Sequence, residues 1–294
     1  MNILLAIDPS GASDSAVGEV AARPWPSNTK ICVLSVIDPP NVTVIPSLVQ
    51  SATEAARALV RNAADRLIGR GFDTSTHVIL DHPRTAIVEY AEQWGADLVV
   101  VGSHGQSAII RFLMGSVAQA AVRHAPCSVE VVRATIYDKP ADGRAMKILL
   151  ATDGSEFSAA AARSVAERPW PEGSTIKVIS VAEVIIPAIE PGYIDSTLMD
   201  SMREETTRHS REAVLAAERI ISEAELKVSG SVLTGLAKGA ILDEAKDWGA
   251  DLVVVGSHGL RGITRVLIGS VAEAVAMHAH CSVEVIRERV TGKQ

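Results

Sequence analysis

Two loops in this 294-residue chain carry the residue types needed to hold a phosphate group. The first reads Gly102-x2-Gly105-x9-Gly115-Ser116, and the second Gly256-x2-Gly259-x9-Gly269-Ser270. Each follows an apolar DLVVV run, Asp97–Val101 or Asp251–Val255, and its last glycine and serine open a helical segment. Glycine lets a backbone approach a ligand closely and adopt positive φ. Free N–H groups at a helix start, here around Gly115, Ser116 and Val117, suit phosphate oxygens. One G-x2-G would be weak evidence. The full spacing, after a strand, before a helix and present twice, is specific. His104 and His258 lie inside these loops; the residues alone leave open whether they face phosphate or solvent.

The elements that must position the loops also come twice. WGADLVVVGSHG is identical at Trp94–Gly105 and Trp248–Gly259, ILLAIDPS (Ile3–Ser10) matches ILLATDGS (Ile148–Ser155), and HAPCSVEVVR (His124–Arg133) matches HAHCSVEVIR (His278–Arg287). RPWP occurs at Arg23 and Arg168. A repeat of this length means two homologous domains, divided as 1–138 and 146–294 with a polar linker, 139–145 (KPADGRA). Asp8 to Asp153 is 145 residues and Gly102 to Gly256 is 154, so the second copy carries nine extra residues after its second strand. The stretch Glu183–Ser201, with Pro187, Pro191 and Gly192, is their expected host, and Glu183–Ser196 is expected to form a lid that makes the two sites unequal.

Within the first copy the pattern predicts strands at Ile3–Ile7, Lys30–Ile37, Thr76–Leu80, Asp97–Val101 and Ser128–Val132. Helices are predicted at Ala12–Ala22, Ser47–Arg70, Arg84–Trp94 and about Ser116–His124. Strands alternating with helices give a doubly wound parallel α/β sheet. The last strand alternates valine with Glu130, and its twin with Glu284, which reads as one wet face at a sheet edge. Such edges suit pairing between the two domains, through Ser128–Val132 and Ser282–Ile286.

Composition excludes several classes. The chain is 47% hydrophobic and 21% charged, with a net charge of −7 and a pI near 5.6, which disfavours nucleic acid or an anionic membrane as partner. No apolar run approaches a membrane span. The opening MNILLAIDPS lacks a basic leader pattern, and three cysteines without a CxxC suit a reducing compartment. The expectation is a cytoplasmic protein.

The glycine pattern, the opening Asp8-Pro9-Ser10 and Asp153-Gly154-Ser155, and the Pro126–Val132 strand together resemble the universal stress protein family, specifically tandem-domain members of its ATP-binding branch. The resemblance spans essentially the whole chain; Pro9, against Gly154, is the visible departure. It implies two five-stranded Rossmann-like sheets, of the adenine nucleotide alpha hydrolase type, packed as an internal pseudo-dimer, with the first and fourth strands adjacent at a ligand-binding switch point. It further implies ATP, with or without Mg2+, in each domain. Ala6, Asp8, Val36 and Val101 would meet adenine and ribose, and Gly102, His104, Gly105, Gly115, Ser116 and Val117 the phosphates. The matching set is Ala151, Asp153, Val181 and Val255, then Gly256, His258, Gly259, Gly269, Ser270 and Val271. Pairing of chains into a homodimer and a regulatory protein partner of unspecified kind are compatible with the family.

Each residue also has a plainer reading. Asp8 and Asp153 could cap the helix that follows, and Ser116 and Ser270 could be plain N-caps. Arg111 and Arg265 suit surface pairing slightly better than phosphate. His124, Cys127, His278, His280 and Cys281 fall short of four zinc ligands, so the histidines are read as favouring helix C-termini. The tryptophans are read as packing residues, and Asn41-Val42-Thr43 as a meaningless glycosylation match. No Walker A lysine, GxGxxG after the first strand, HExxH or GxSxG is present. The resemblance therefore implies a stress-response module, and the missing motifs favour one that retains nucleotide with little or no hydrolysis. A slow ATPase or adenylyl-transferring enzyme, and a sensor of another small ligand, are the alternatives.

Overall fold

The computed structural model describes residues 1–38, 46–105, 114–133, 143–183, 196–260 and 268–287. Arg111, Arg265, Asn41–Thr43, the first four linker residues and most of the expected lid (184–195) lie outside the described residues. The first copy runs β1 (Asn2–Ala6), α1 (Gly11–Ala22), β2 (Lys30–Ile37), α2 (Pro46–Ile68), β3 (Asp73–Leu80), α3 (Pro83–Trp94), β4 (Leu98–Gly102), α4 (Ser116–His124) and β5 (Ser128–Val132). The second repeats it as β6 (Lys147–Ala151), α5 (Glu156–Glu167), β7 (Thr175–Ala182), α6 (Ser196–Ser222), β8 (Lys227–Thr234), α7 (Ala237–Trp248), β9 (Leu252–Gly256), α8 (Ser270–His278) and β10 (Ser282–Ile286). The third strand begins at Asp73, three residues before the predicted start, because it pairs with the whole of β2 from Lys30 onward.

The two five-stranded halves fuse into one ten-stranded sheet, ordered β3-β2-β1-β4-β5-β10-β9-β6-β7-β8. Pairing is parallel within each half, and antiparallel only where β5 meets β10. This antiparallel seam keeps the same sheet face outward in both halves. On one face, α3, α4, α7 and α8 close over a single apolar core that runs through both copies, from Leu4 and Val129 to Val283 and Val255. On the other, α1 with α2 and α5 with α6 cover two separate cores.

The expected wet face of the last strands is dry. Glu130 is 1% exposed and Glu284 0%, and the register sets them directly opposite each other across the seam. Each is neutralised by the arginine of a repeated RPWP segment. Arg23 bonds both carboxylate oxygens of Glu130, and Arg168 Nη1 donates to Glu284 Oε2 at 2.9 Å. Trp25 and Trp170 hold these segments down by donating to Val20 O and Val165 O. A charged residue in a central strand is thus explained by pairing, which burial demands.

A second device crosses the seam. Arg133 donates to Ala276 O and Met277 O at the end of α8, and Arg287 to Val122 O, Arg123 O and Ala125 O at the end of α4. Each copy's last arginine therefore caps the other copy's last helix, where orphan carbonyls and the negative dipole end favour a cation. The sequence reading gave this place to the histidines; the arginines take the carbonyls.

The seam carries a pH dependence. Burial pushes the Glu130 carboxyl from 4.5 up to about 7, against the pull of the Arg23 guanidinium and with Glu284 and Glu19 adding to the rise. A carboxyl with a higher pKa folded than unfolded binds its proton more tightly when folded. Its stabilisation is fully present below the unfolded value and is lost as pH rises through the folded one. The stability of the wild type relative to Glu130→Gln should therefore fall as pH rises from about 5 through about 7. Urea unfolding across that range measures it, and a constant difference would contradict this origin.

Candidate nucleotide site

The carboxyl ends of β1 and β4 lie side by side, with Ala6 opposite Val101; Ala151 and Val255 repeat the pair in β6 and β9. Ala6, Val101 and Val255 belong to the shared apolar core, and Val36, Val117, Ala151, Val181 and Val271 pack against it. The predicted adenine- and ribose-facing residues of each copy therefore gather at one end of the sheet, where strand order reverses.

After β1 the chain turns sharply into α1. Ser10 and Ser155, not the aspartates, are the N-caps, accepting from Ser13 N and Ser158 N. This overturns the helix-cap reading of Asp8 and Asp153, which sit two residues earlier. Asp8 Oδ1 accepts the hydroxyls of Ser10 and Ser13, the latter at 2.6 Å. Asp153 accepts Ser155 N at 3.0 Å through Oδ1 and Leu260 N at 2.9 Å through Oδ2. The carboxylate in the second copy thus tethers its own turn to the glycine loop.

Pro9 and Gly154 give the two turns different shapes. Proline holds φ negative, and Ser10 N closes onto Asp8 O at 2.8 Å across it. Gly154 instead has φ +80°, packed on Ala213 and the His209 ring, and His209 Nε2 lies 3.0 Å from Asp153 O. The first copy has Ala55 at the matching place on its shorter helix. The helix α6 has 27 residues against 23 in α2.

The motif glycines are needed for space rather than for φ. None of the six has positive φ, which corrects that part of the sequence reading. A Cβ on Gly102 would stand 2.7 Å from the Ala12 backbone, and one on Gly256 2.7 Å from that of Phe157, so the helix after the first strand packs directly on them. A Cβ on Gly105 would stand 2.9 Å from Asp8 Oδ2, and one on Gly259 2.5 Å from Asp153 Oδ2. The second glycine of each loop and the first-strand aspartate are therefore in contact, 97 residues apart in the first copy and 106 in the second.

The loop ends differ from expectation in one detail. Gly115 and Gly269 are the N-caps, without a side-chain cap, and Ser116 and Ser270 are the first helical residues. Gly115 N donates to Ser103 O and Gly269 N to Ser257 O, each at 2.7 Å, so these two N–H groups are spent on the loop. The N–H groups left without intrahelical acceptors begin at Ser116 and Ser270.

His104 Nδ1 lies 2.8 Å from Ser103 Oγ, and His258 Nδ1 3.0 Å from Ser257 Oγ. His258 is 8% exposed, tilts against Phe157 at 4.9 Å, and its Nε2 is buried without a hydrogen-bond partner among the described residues. None of the three cysteines is in a disulfide and all are buried, and burial pushes the Cys281 thiol up to about 12, so it is a packing group. Among the described residues no cluster of three or more His, Cys, Asp or Glu could hold a metal, and no helix is long and apolar enough to cross a membrane.

The sequence profile of the universal stress protein family matches residues 1–133 and again 145–287. The chain belongs to this family. A universal stress protein of Mycolicibacterium smegmatis is 30% identical over 303 residues, covering 98% of this chain and 97% of its own length. One from Mycobacterium tuberculosis is 29% identical over 306 residues, covering 97% of each. Among solved structures, a universal stress protein from Archaeoglobus fulgidus superposes with a TM-score of 0.67 at 20% identity, over 99% of this chain and 97% of its own. That likeness shows the tandem α/β fold of the family over the full length.

Proposed function

We propose that this universal stress protein holds one adenine nucleotide, ATP, in each domain and acts as a stress-response module with little or no hydrolysis. The observation that carries the reading is the contact of each first-strand aspartate with the second glycine of its loop, one loop away from an uncapped helix N-terminus. Ala6, Val36 and Val101, and Ala151, Val181 and Val255, supply an apolar shelf for adenine. Asp8 and Asp153 stand where a ribose would lie, and Ser116, Val117, Ser270 and Val271 offer helix-start N–H groups to phosphate. The orphaned buried Nε2 of His258 fits a ligand oxygen. Any Mg2+ would be held mainly by phosphate oxygens and water, as this ion prefers.

Little hydrolysis follows from the inventory. Phosphoryl transfer needs charge neutralisation and a positioned nucleophile, and neither loop sequence contains a lysine; the cations there are Arg111 in the first and Arg261 and Arg265 in the second. The aspartates are already engaged in fixing the turns. Denaturing freshly purified protein and identifying what it releases, by chromatography and mass, tests the reading; adenine nucleotide is expected. Incubation with Mg·ATP should release no phosphate beyond a buffer control. Steady turnover that disappears in Asp8→Ala/Asp153→Ala would replace this reading with the enzymatic one.

A further inference from the structure

The turns that carry Asp8 and Asp153 face different helix residues in the two copies. Gly154, His209 and Ala213 stand where the first copy has Pro9, Ala55 and Leu59. The buried side chains fix this match, since Val60 and Val214, and Leu67 and Ile221, fill the same core-facing places of α2 and α6. His209 Nε2 lies 3.0 Å from Asp153 O. A carbonyl only accepts, so this nitrogen carries the proton and donates. The ring also packs on Gly154, whose φ is +80° and whose added Cβ would meet Ala213 Cβ at 3.3 Å and the ring at 3.5 Å. Proline could not adopt that φ, and Ala55 has no side-chain donor.

The bond reaches the glycine loop through a single residue. Asp153 accepts His209 on its carbonyl, Ser155 N on Oδ1 and Leu260 N on Oδ2. The helix α6, the turn and the loop therefore meet at Asp153. A turn built on glycine needs such a hold, because glycine has the most backbone freedom to lose. Freedom left in an empty site is lost when a ligand orders it, which weakens binding. In the first copy the fixed φ of Pro9 limits that freedom from within the chain.

We propose that His209 is a positioning residue of the second nucleotide site alone. It holds the Asp153 turn in its ligand-ready shape, as Pro9 does by covalent constraint in the first domain. This role rests on the nucleotide reading above and adds to it a handle on one site of the two, placed on a helix outside the glycine motif.

The test loads full-length, nucleotide-free protein with radiolabelled ATP and follows release into excess unlabelled ATP. His209→Ala should speed the release of one bound equivalent roughly three- to tenfold, the range of one hydrogen bond, and leave the other at the wild-type rate. The ring is exposed, so its removal leaves no hole in the core. His209→Gln, which keeps an N–H donor, should stay near wild type. Hydrogen exchange in the nucleotide-free protein should rise at the amides of Ser155 and Leu260 in His209→Ala, and not at that of Ser10. Release that is unchanged in His209→Ala, that quickens equally for both equivalents, or that is as fast in His209→Gln as in His209→Ala would overturn the proposal while leaving the nucleotide reading intact. Wild-type protein that retains no ATP would overturn the nucleotide reading itself, and this role with it.

Discussion

Replacing Arg168 with alanine is expected to destabilise the protein by about 3–5 kcal/mol, the cost of stranding a buried charge without its partner. Glu284 is 0% exposed, and its carboxylate receives two guanidinium N–H groups from Arg168. It also faces Glu130 across the seam. Removing the guanidinium leaves two acids opposed in a dry central strand pair, with Arg23 alone to neutralise them. The same reasoning predicts a partial rescue: Glu284→Gln in the Arg168→Ala background should recover a large part of the loss, because it removes the stranded charge. Urea unfolding at neutral pH compares the three proteins. A loss below 1 kcal/mol for Arg168→Ala, the range of a surface pair, would mean that water reaches Glu284 and that the seam is not dry.

Gly259→Ala should lower nucleotide affinity in the second domain by roughly 10- to 100-fold, at about 1.4 kcal/mol per factor of ten. The added Cβ would sit 2.5 Å from Asp153 Oδ2, the atom that accepts Leu260 N. Either the carboxylate or the loop must move, and both belong to the proposed site. Gly105→Ala should act in the same direction on the first domain but less strongly, since the corresponding distance is 2.9 Å. Gly239→Ala, where nothing lies within 4 Å of the new atom, serves as the control and should leave affinity unchanged. Calorimetry on each variant reads the effect. Unaltered binding in Gly259→Ala would place the nucleotide elsewhere.

Much of this architecture was legible before the structure. The duplicated DLVVV runs followed by glycine announce a parallel strand feeding a loop, and the helix at Ser116–His124 and strand at Ser128–Val132 fall where periodicity puts them. What the chain alone concealed was partnership over distance. Arg23 and Glu130 are 107 residues apart, and a glutamate between valines reads as solvent-facing until the arginine that neutralises it is seen. The repeats held a clue, since RPWP and SVEV recur together in both copies. Arg133 and Arg287 carried the same clue at the end of the repeated strand, but a cap that crosses between domains has no local signature. The glycines were recognised for the right loop and partly for the wrong reason, because sequence does not distinguish a residue needing positive φ from one lacking room for a Cβ.

The central claim is that the two glycine loops are two nucleotide sites. Titrating Mg·ATP into nucleotide-free protein by calorimetry tests it most directly. The account predicts a stoichiometry of two per chain, falling to one in either Gly105→Ala or Gly259→Ala at ATP concentrations that saturate only the intact site. No heat of binding, or a stoichiometry that neither substitution changes, would contradict it.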